Sequence, residues 1–194
     1  MKVTRDEIIM VADSLIRERG YNAFSYADIS KELDIKNASI HYYFPSKADL
    51  GIAIINRAID HFLIEFKNWE GYSYKIQLAN IVKIYSTKRE AKSICLMGAL
   101  SAVFHTLTME MQKRLELIGS IFLNKLTEVL KLGRAAGEFN FIESPEAKAC
   151  MIQASLISSL LLDRVLKNNV FQLIEGEILN MVIHSTSTEN SSGI

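Results

Sequence analysis

Apolar residues recur at helical spacing along this chain almost from its first residue. Ile8, Val11, Ala12, Leu15 and Ile16 form one stripe, Arg5, Asp6, Asp13, Arg17 and Glu18 fall largely off it, and Gly20 supplies a stop. In "FSYADISKEL" Ser25 stands three residues before Asp28, a capping-box-like spacing that puts Asp28 at the positive end of a helix dipole, with Ile29 and Leu33 facing inward. "DIKN" interrupts the pattern. Ala38, Ile40 and Phe44 resume it over about two turns, until Pro45 excludes the helical conformation for its predecessor. Ser46 then caps a longer helix carried by Leu50, Ala53, Ile54, Ala58, Ile59, Phe62 and Phe66. Two short helices around a tight polar turn, with one helix before and another after, have the layout of a helix-turn-helix in a small helical domain.

"NWEGY" is the first plausible boundary. Beyond it the periodicity predicts helices over 73 to 90, 93 to 106, 109 to 136, 145 to 168 and 170 to 184. No stretch alternates with period two and no repeat is visible, so the expected fold class is all-α. The stretch "ACMIQASLISSLLLDRVLKNN" is apolar on more than one face and must be covered on both sides. With the apolar helix "VFQLIEGEILNMVIH" after it, the economical arrangement is a four-helix bundle with the same pair from a second subunit; a monomer burying both remains the alternative.

Length and composition narrow the picture without deciding it. At 194 residues, with 49% hydrophobic and 23% charged side chains, the chain can bury a real core. Twenty-two basic residues balance twenty-two acidic ones, so any attraction to a polyanion must be local. Residues 1 to 50 carry seven Lys/Arg against eight Asp/Glu, yet 35 to 48 contain Lys36 and Lys47 and no acid. The N-terminus meets charges before any apolar run, which reads as no secretory signal and an expected cytoplasmic location. The longest uncharged stretch, Ser93 to Met109, falls short of the roughly 20 apolar residues of a membrane helix, so no membrane association is expected. Cys95 and Cys150 make neither a disulfide scaffold nor a zinc site.

The cluster "IKNASIHYYFPSKADL" places a histidine and two tyrosines beside Lys36, Asn37, Ser39 and Lys47. Lys36, Asn37, Ser39 and His41 have the chemistry and position to reach base edges or adjacent phosphates, with Asn37 the best candidate for adenine. Tyr42 and Tyr43 can donate their hydroxyls to phosphate, and Lys47 adds charge near the start of the next helix. In the plainer reading, one tyrosine of the pair packs on the first helix and both lysines are solvated charges.

"FSYADISKELDIKNASIHYYFPSKADL", with Gly20, Phe24, Phe44 and Lys47, closely resembles the helix-turn-helix segment of the TetR family of bacterial repressors. The match covers the first quarter to third of the chain; the later helices fit in number and length. Asp34 stands where the family usually has a turn glycine, and Ala38 stands at another position that is often glycine. The resemblance implies a two-fold dimer that binds palindromic operator DNA as a repressor and is released by a small molecule. It implies a three-helix DNA-binding domain over 1–48, a connector helix over 46–66, a ligand-binding and dimerisation domain over 67–184, and a disordered tail over 185–194. Ser25 and Ala38 join Lys36, Asn37, Ser39, His41, Tyr42, Tyr43 and Lys47 as DNA-binding candidates.

The C-terminal two thirds contain aromatic and soft apolar side chains suited to a cavity between helices. Cys95, Phe104, His105 and Phe122 are the candidate ligand contacts, although His105, alone in an apolar run, reads first as a satisfied core histidine. "SICLMGALSA" resembles a Cys-Leu helix start in one family branch, some of whose members respond to electrophiles. Cys95 at a helix start is open to a dipole-lowered thiol pKa, against the plainer reading of a small buried hydrophobe. No phosphate loop, nucleophile elbow or metal-spaced cluster is visible, so neither an enzyme nor a cofactor is expected. The rival from another class is a helical protein-interaction adaptor. Only a DNA reader should lose affinity steeply with salt.

Overall fold

The computed structural model describes residues 4–183, with side chains described to Asn180. Among them are nine α-helices and no strand: α1 (Arg5–Arg19), α2 (Tyr26–Leu33), α3 (Asn37–Tyr43), α4 (Lys47–Asn68), α5 (Tyr74–Glu90), α6 (Leu96–Ser101), α7 (Met109–Ala135), α8 (Pro145–Leu166) and α9 (Val170–Ile183). The all-α expectation therefore holds. The tail at 185–194 lies outside the described residues.

Local chemistry sets the helix ends. Thr4 and Glu7 form a reciprocal capping box at the start of α1, and Ser46 and Asp49 form another at α4. Gly20, at φ 93°, ends α1 in a conformation that side-chain-bearing residues rarely adopt. Asp34 closes α2 in the left-handed region at φ 51°, and its amide donates to the Ser30 carbonyl. That conformation explains why a glycine suits the position and why an aspartate is tolerated.

One continuous apolar core runs from Ile8 on α1 to Ile178 on α9. Helix α1 packs on α2, α4 and α6; α4 packs along α7; and α5, α7, α8 and α9 complete the larger bundle. The expected helix over 93–106 is broken, with α6 ending at Ser101 before a one-turn 3-10 helix at Phe104–Thr106. The Gln112 side chain holds that turn by donating to the Phe104 and Leu107 carbonyls. Helix α8 is long and apolar enough to cross a membrane by length and composition, a property that the search for uncharged runs missed. In the fold it packs on α5, α7 and α9, burying Ile152, Leu156 and Leu160.

Two glycines set the spacing of α7. A Cβ at Gly133 would meet the Phe139 ring at 2.3 Å and Tyr74 Cβ at 2.9 Å, whereas a Cβ at Gly51 would meet the flexible tip of Met111 at 2.5 Å. Gly133→Ala is expected to lower stability by about 1 to 3 kcal/mol, because an aromatic ring and an α5 side chain must move. Gly51→Ala should be milder, since Met111 can swing aside and alanine gains roughly 1 kcal/mol of helix propensity. Denaturant unfolding of both variants checks the order.

Candidate nucleic-acid interface and helical cavity

Helix α3 is anchored from beneath. Ile40 and Phe44 are buried, and the Tyr26 hydroxyl of α2 donates to the Phe44 carbonyl at 2.9 Å. The Arg5 guanidinium lies 5.0 Å from the centre of the Phe44 ring. Burial, with Asp49 and Tyr21 nearby, pushes the Tyr26 phenol up to about 12. These contacts hold a two-turn helix that could not persist alone.

The opposite side of α3 is open. Lys36, Asn37, Ala38, Ser39 and His41 are exposed, and Tyr42 is 81% exposed. Tyr43 is half-buried and meets Tyr42 edge-to-face at 5.1 Å, so the tyrosine pair divides between packing and surface. His41 Nδ1 lies 3.3 Å from the Pro45 carbonyl, which can only accept. The ring therefore donates through Nδ1 and turns Nε2 to other partners. Its edge rests 4.7 Å from the Tyr26 ring.

Ser25 and Lys47 are placed differently from free surface groups. Ser25 donates both its amide and its hydroxyl to the Asp28 carboxylate, at 2.7 and 2.6 Å, and these bonds hold that carboxyl below its ordinary pKa. The Lys47 ammonium donates to the Phe24 carbonyl and sits over the rings of Phe24 and Tyr21, at 4.2 and 4.9 Å. Burial lowers its pKa, opposed by Asp28. Neither sequence reading of Lys47, exposed phosphate contact or solvated charge, anticipates an ammonium that ties the start of α4 to the segment before α2.

A cavity of about 710 Å³ lies between α1, α4, α5, α6 and α7. Phe62, Trp69 and Phe122 supply its aromatic wall, with Phe122 centred 5.3 Å from Phe62 and 5.7 Å from Tyr85. Of the expected ligand contacts, Cys95 and Phe122 line this space. Phe104 and His105 do not: the break after α6 carries them onto the 3-10 turn, where His105 is exposed instead of sitting in the core. Cys95 caps α6 and accepts from the Gly98 amide at 3.2 Å. Burial pushes its thiol pKa up more than Gly98, Arg17 and Lys88 pull it down, which runs against a dipole-lowered thiol and accords with the plainer reading of a small buried hydrophobe.

Sequence reasoning passed over Tyr26 and the cavity groups Arg17, Tyr85 and Lys88. Their one legible signal is spacing: Tyr85 follows Ile81 and Val82 on the buried stripe of α5, and Lys88 stands three residues further on.

A solvent-facing short helix braced by a preceding one, joined to a hollow helical bundle, defines a helix-turn-helix protein with an internal cavity. Residues 8–54 match the model of the bacterial regulatory proteins of the tetR family. The chain is similar to a TetR-family transcriptional regulator from Agrobacterium tumefaciens, with a TM-score of 0.86 and 27% identity over 92% of this chain and 97% of that one. It is also similar to a TetR regulator from Legionella pneumophila, with a TM-score of 0.82 and 29% identity over 94% and 98% of the two chains. The probable HTH-type transcriptional regulator YttP of Bacillus subtilis is 36% identical over 80 residues, 41% of this chain and 34% of YttP. The biofilm operon icaADBC negative regulator IcaR of Staphylococcus epidermidis is 32% identical over 59 residues, 30% of this chain and 32% of IcaR. The aligned stretch thus spans about a third of these two relatives' length. Over residues 8–54 the chain carries the helix-turn-helix segment of the TetR family of bacterial regulatory proteins, and along more than nine tenths of its length it shares the fold of TetR-family regulators.

Tyr26→Phe leaves the buried Phe44 carbonyl without its donor and should cost about 1 to 3 kcal/mol in denaturant unfolding near neutral pH. A phenol whose folded pKa is raised contributes stability that is fully present below its ordinary value of 10 and is lost as pH rises through about 12. Tyr26→Phe should therefore flatten the alkaline fall of stability across that window, which denaturant unfolding at several alkaline pH values measures.

Proposed function

We propose that this chain is a transcriptional regulator, most simply a cytoplasmic repressor, that binds palindromic duplex DNA as a homodimer and releases it when a small molecule occupies the cavity. The observation that carries the reading is the division of α3: Ile40 and Phe44 face the core, while Lys36, Asn37, Ser39, His41 and Tyr42 present hydrogen-bonding groups outward. Asn37 is suited to the paired donor and acceptor edge of adenine. Lys36, Ser39, His41 and Tyr42 suit a base edge or phosphate, with Ala38 leaving room for close approach. Tyr43 contributes from its half-buried position. Ser25 and Lys47 act through what they hold, the start of α2 and the junction to α4, and the Lys47 ammonium brings its remaining donors to the backbone.

In this reading residues 1–48 read DNA, the helix after them connects, and the remaining helices bind ligand and partner. Helix α1 supplies cavity wall and packs on α2, which braces α3, so a ligand that fits one orientation of α1 better shifts the DNA-binding equilibrium. The dimer reading is supported by apolar surface on α8 and α9: Leu162, Val165 and Leu166 are exposed on α8, and Leu173 on α9 is 70% exposed. Exposed apolar side chains grouped on two neighbouring helices are costly in a monomer.

Selection of bound duplexes from a random pool should return a two-fold palindrome; recovery of no preferred sequence, with binding insensitive to salt, would make α3 a protein-docking surface. Asn37→Ala should cost about 1 to 3 kcal/mol on the selected site and relax preference at one position per half-site. Leu160 is only 3% exposed, so a charge there would attack the monomer's own core, whereas Val165 is 74% exposed. Val165→Glu is therefore expected to give folded monomers by sedimentation and to weaken palindrome binding strongly.

A further inference from the structure

The cavity has one polar corner that the DNA-reading surface does not use. Tyr85 and Lys88 share a face of α5, and both line the cavity together with Arg17 of α1 and Cys95 of α6. The Arg17 guanidinium donates to the carbonyl of Ile94, the residue before Cys95, at 3.2 Å, which brings the α1 cation to the same corner. Tyr85 is only 4% exposed, yet among the described residues its hydroxyl has no hydrogen-bond partner. Lys88 is half-buried and likewise has neither an ion pair nor a hydrogen bond among them. Burial, and after it Arg17, pulls the Lys88 pKa down.

A buried donor and a half-buried cation left unsatisfied both oppose folding, so their position on a cavity wall calls for an acceptor from outside the chain. The charges around the cavity indicate its sign. Arg17, Arg57, Lys83 and Lys88 face only Asp13 and Glu65, and Asp13 is already engaged by Arg17 at 2.9 Å. Away from the corner the wall turns apolar and aromatic.

We propose that the cavity binds an amphipathic organic anion, whose carboxylate or similar oxyanion accepts from the Tyr85 hydroxyl and the Lys88 ammonium while its apolar body lies against Phe62, Trp69 and Phe122. The inference rests on the reading of this cavity as the effector site and names the effector's chemical class. It also gives the ligand a direct hold on α1. The Arg17 guanidinium, already bonded to Asp13 and to the Ile94 carbonyl at 3.2 Å, borders the place the oxyanion takes, and α1 packs directly on α2 of the helix-turn-helix.

Trp69 is the chain's single tryptophan and part of the cavity wall, so its fluorescence reports occupancy. The full-length protein is titrated with decanoate, decylamine and decanol below their aggregation limits, and with 2-naphthoate and 2-naphthylmethylamine. At least one carboxylate should bind about tenfold or more tightly than its amine and alcohol counterparts. Tyr85→Phe and Lys88→Gln should each weaken that carboxylate about tenfold and leave decanol within about twofold. Tyr85→Phe should not lower the unliganded Tm, because the hydroxyl it removes has no protein partner; a lowered Tm would make that hydroxyl structural and overturn its role. The proposal also fails if an amine binds as tightly as its carboxylate, if both variants bind as wild type does, or if neither carboxylate binds. Duplex binding in the same samples separates the two readings. Decylamine binding and displacing DNA would keep the regulator and discard the anion, whereas carboxylate binding with the stated variant dependence in a protein that binds no duplex would do the reverse.

Discussion

The structure depends on α4 burying apolar side chains along nearly its whole length. Over 22 residues, about 33 Å of helix, Leu50, Ile54, Ile55 and Ile59 near its start pack in the core shared with α1, and Phe66 near its end stacks with Phe62 and meets Trp69. Its inner face packs along α7, with Gly51 allowing the Met111 side chain close contact. The core beneath α3 and the cavity wall between α1 and α7 therefore belong to one continuous apolar cluster.

That continuity is reinforced by polar contacts at the ends of α1. Arg164 of α8 donates to the Arg17 carbonyl at 2.9 Å, where α1 leaves backbone acceptors unpaired, and Arg17 itself reaches the Ile94 carbonyl ahead of α6. At the other end Arg5 rests on the ring of Phe44, which closes α3. Helix α1 is thus held at its C-terminus by α8 and the segment before α6, and at its N-terminus by the helix-turn-helix. The Asp13 to Arg17 ion pair on this helix lines the cavity.

The outer helices obey a different constraint. Helix α8 must satisfy the inner bundle with Ile152, Leu156 and Leu160 while still carrying Leu162, Val165 and Leu166 outward. The Asp163 carboxylate anchors its C-terminal end, accepting from Arg89 at 2.8 Å and from the Phe171 amide at 3.1 Å, so α8 and α9 are fixed relative to α5. Rigid presentation lowers the ordering cost of an apolar surface that docks on another.

Much of this was legible in the chain because it is decided locally. The stripe of Ile8, Ala12, Leu15 and Ile16, the box at Ser25, the cap at Ser46, the stop at Gly20 and the break at Pro45 act within one or two turns, and they located α1 to α4 closely. The exposed side of α3 followed from the same periodicity. The site groups depended on contacts far apart in sequence. Lys47 was read as a surface charge because nothing within a few residues reveals the carbonyl and ring of Phe24, 23 positions back, that capture it. Phe104 and His105 left the cavity when Gln112 tied down a turn that periodicity had continued as helix. Cys95 took the anticipated helix end, and between its two readings, a dipole-lowered thiol and a small buried hydrophobe, burial from distant helices decided for the second. Helical spacing records which face of an element is apolar. Whether that face meets a core, a cavity or another subunit, and whether a polar group on it finds a partner, is decided only when distant helices pack.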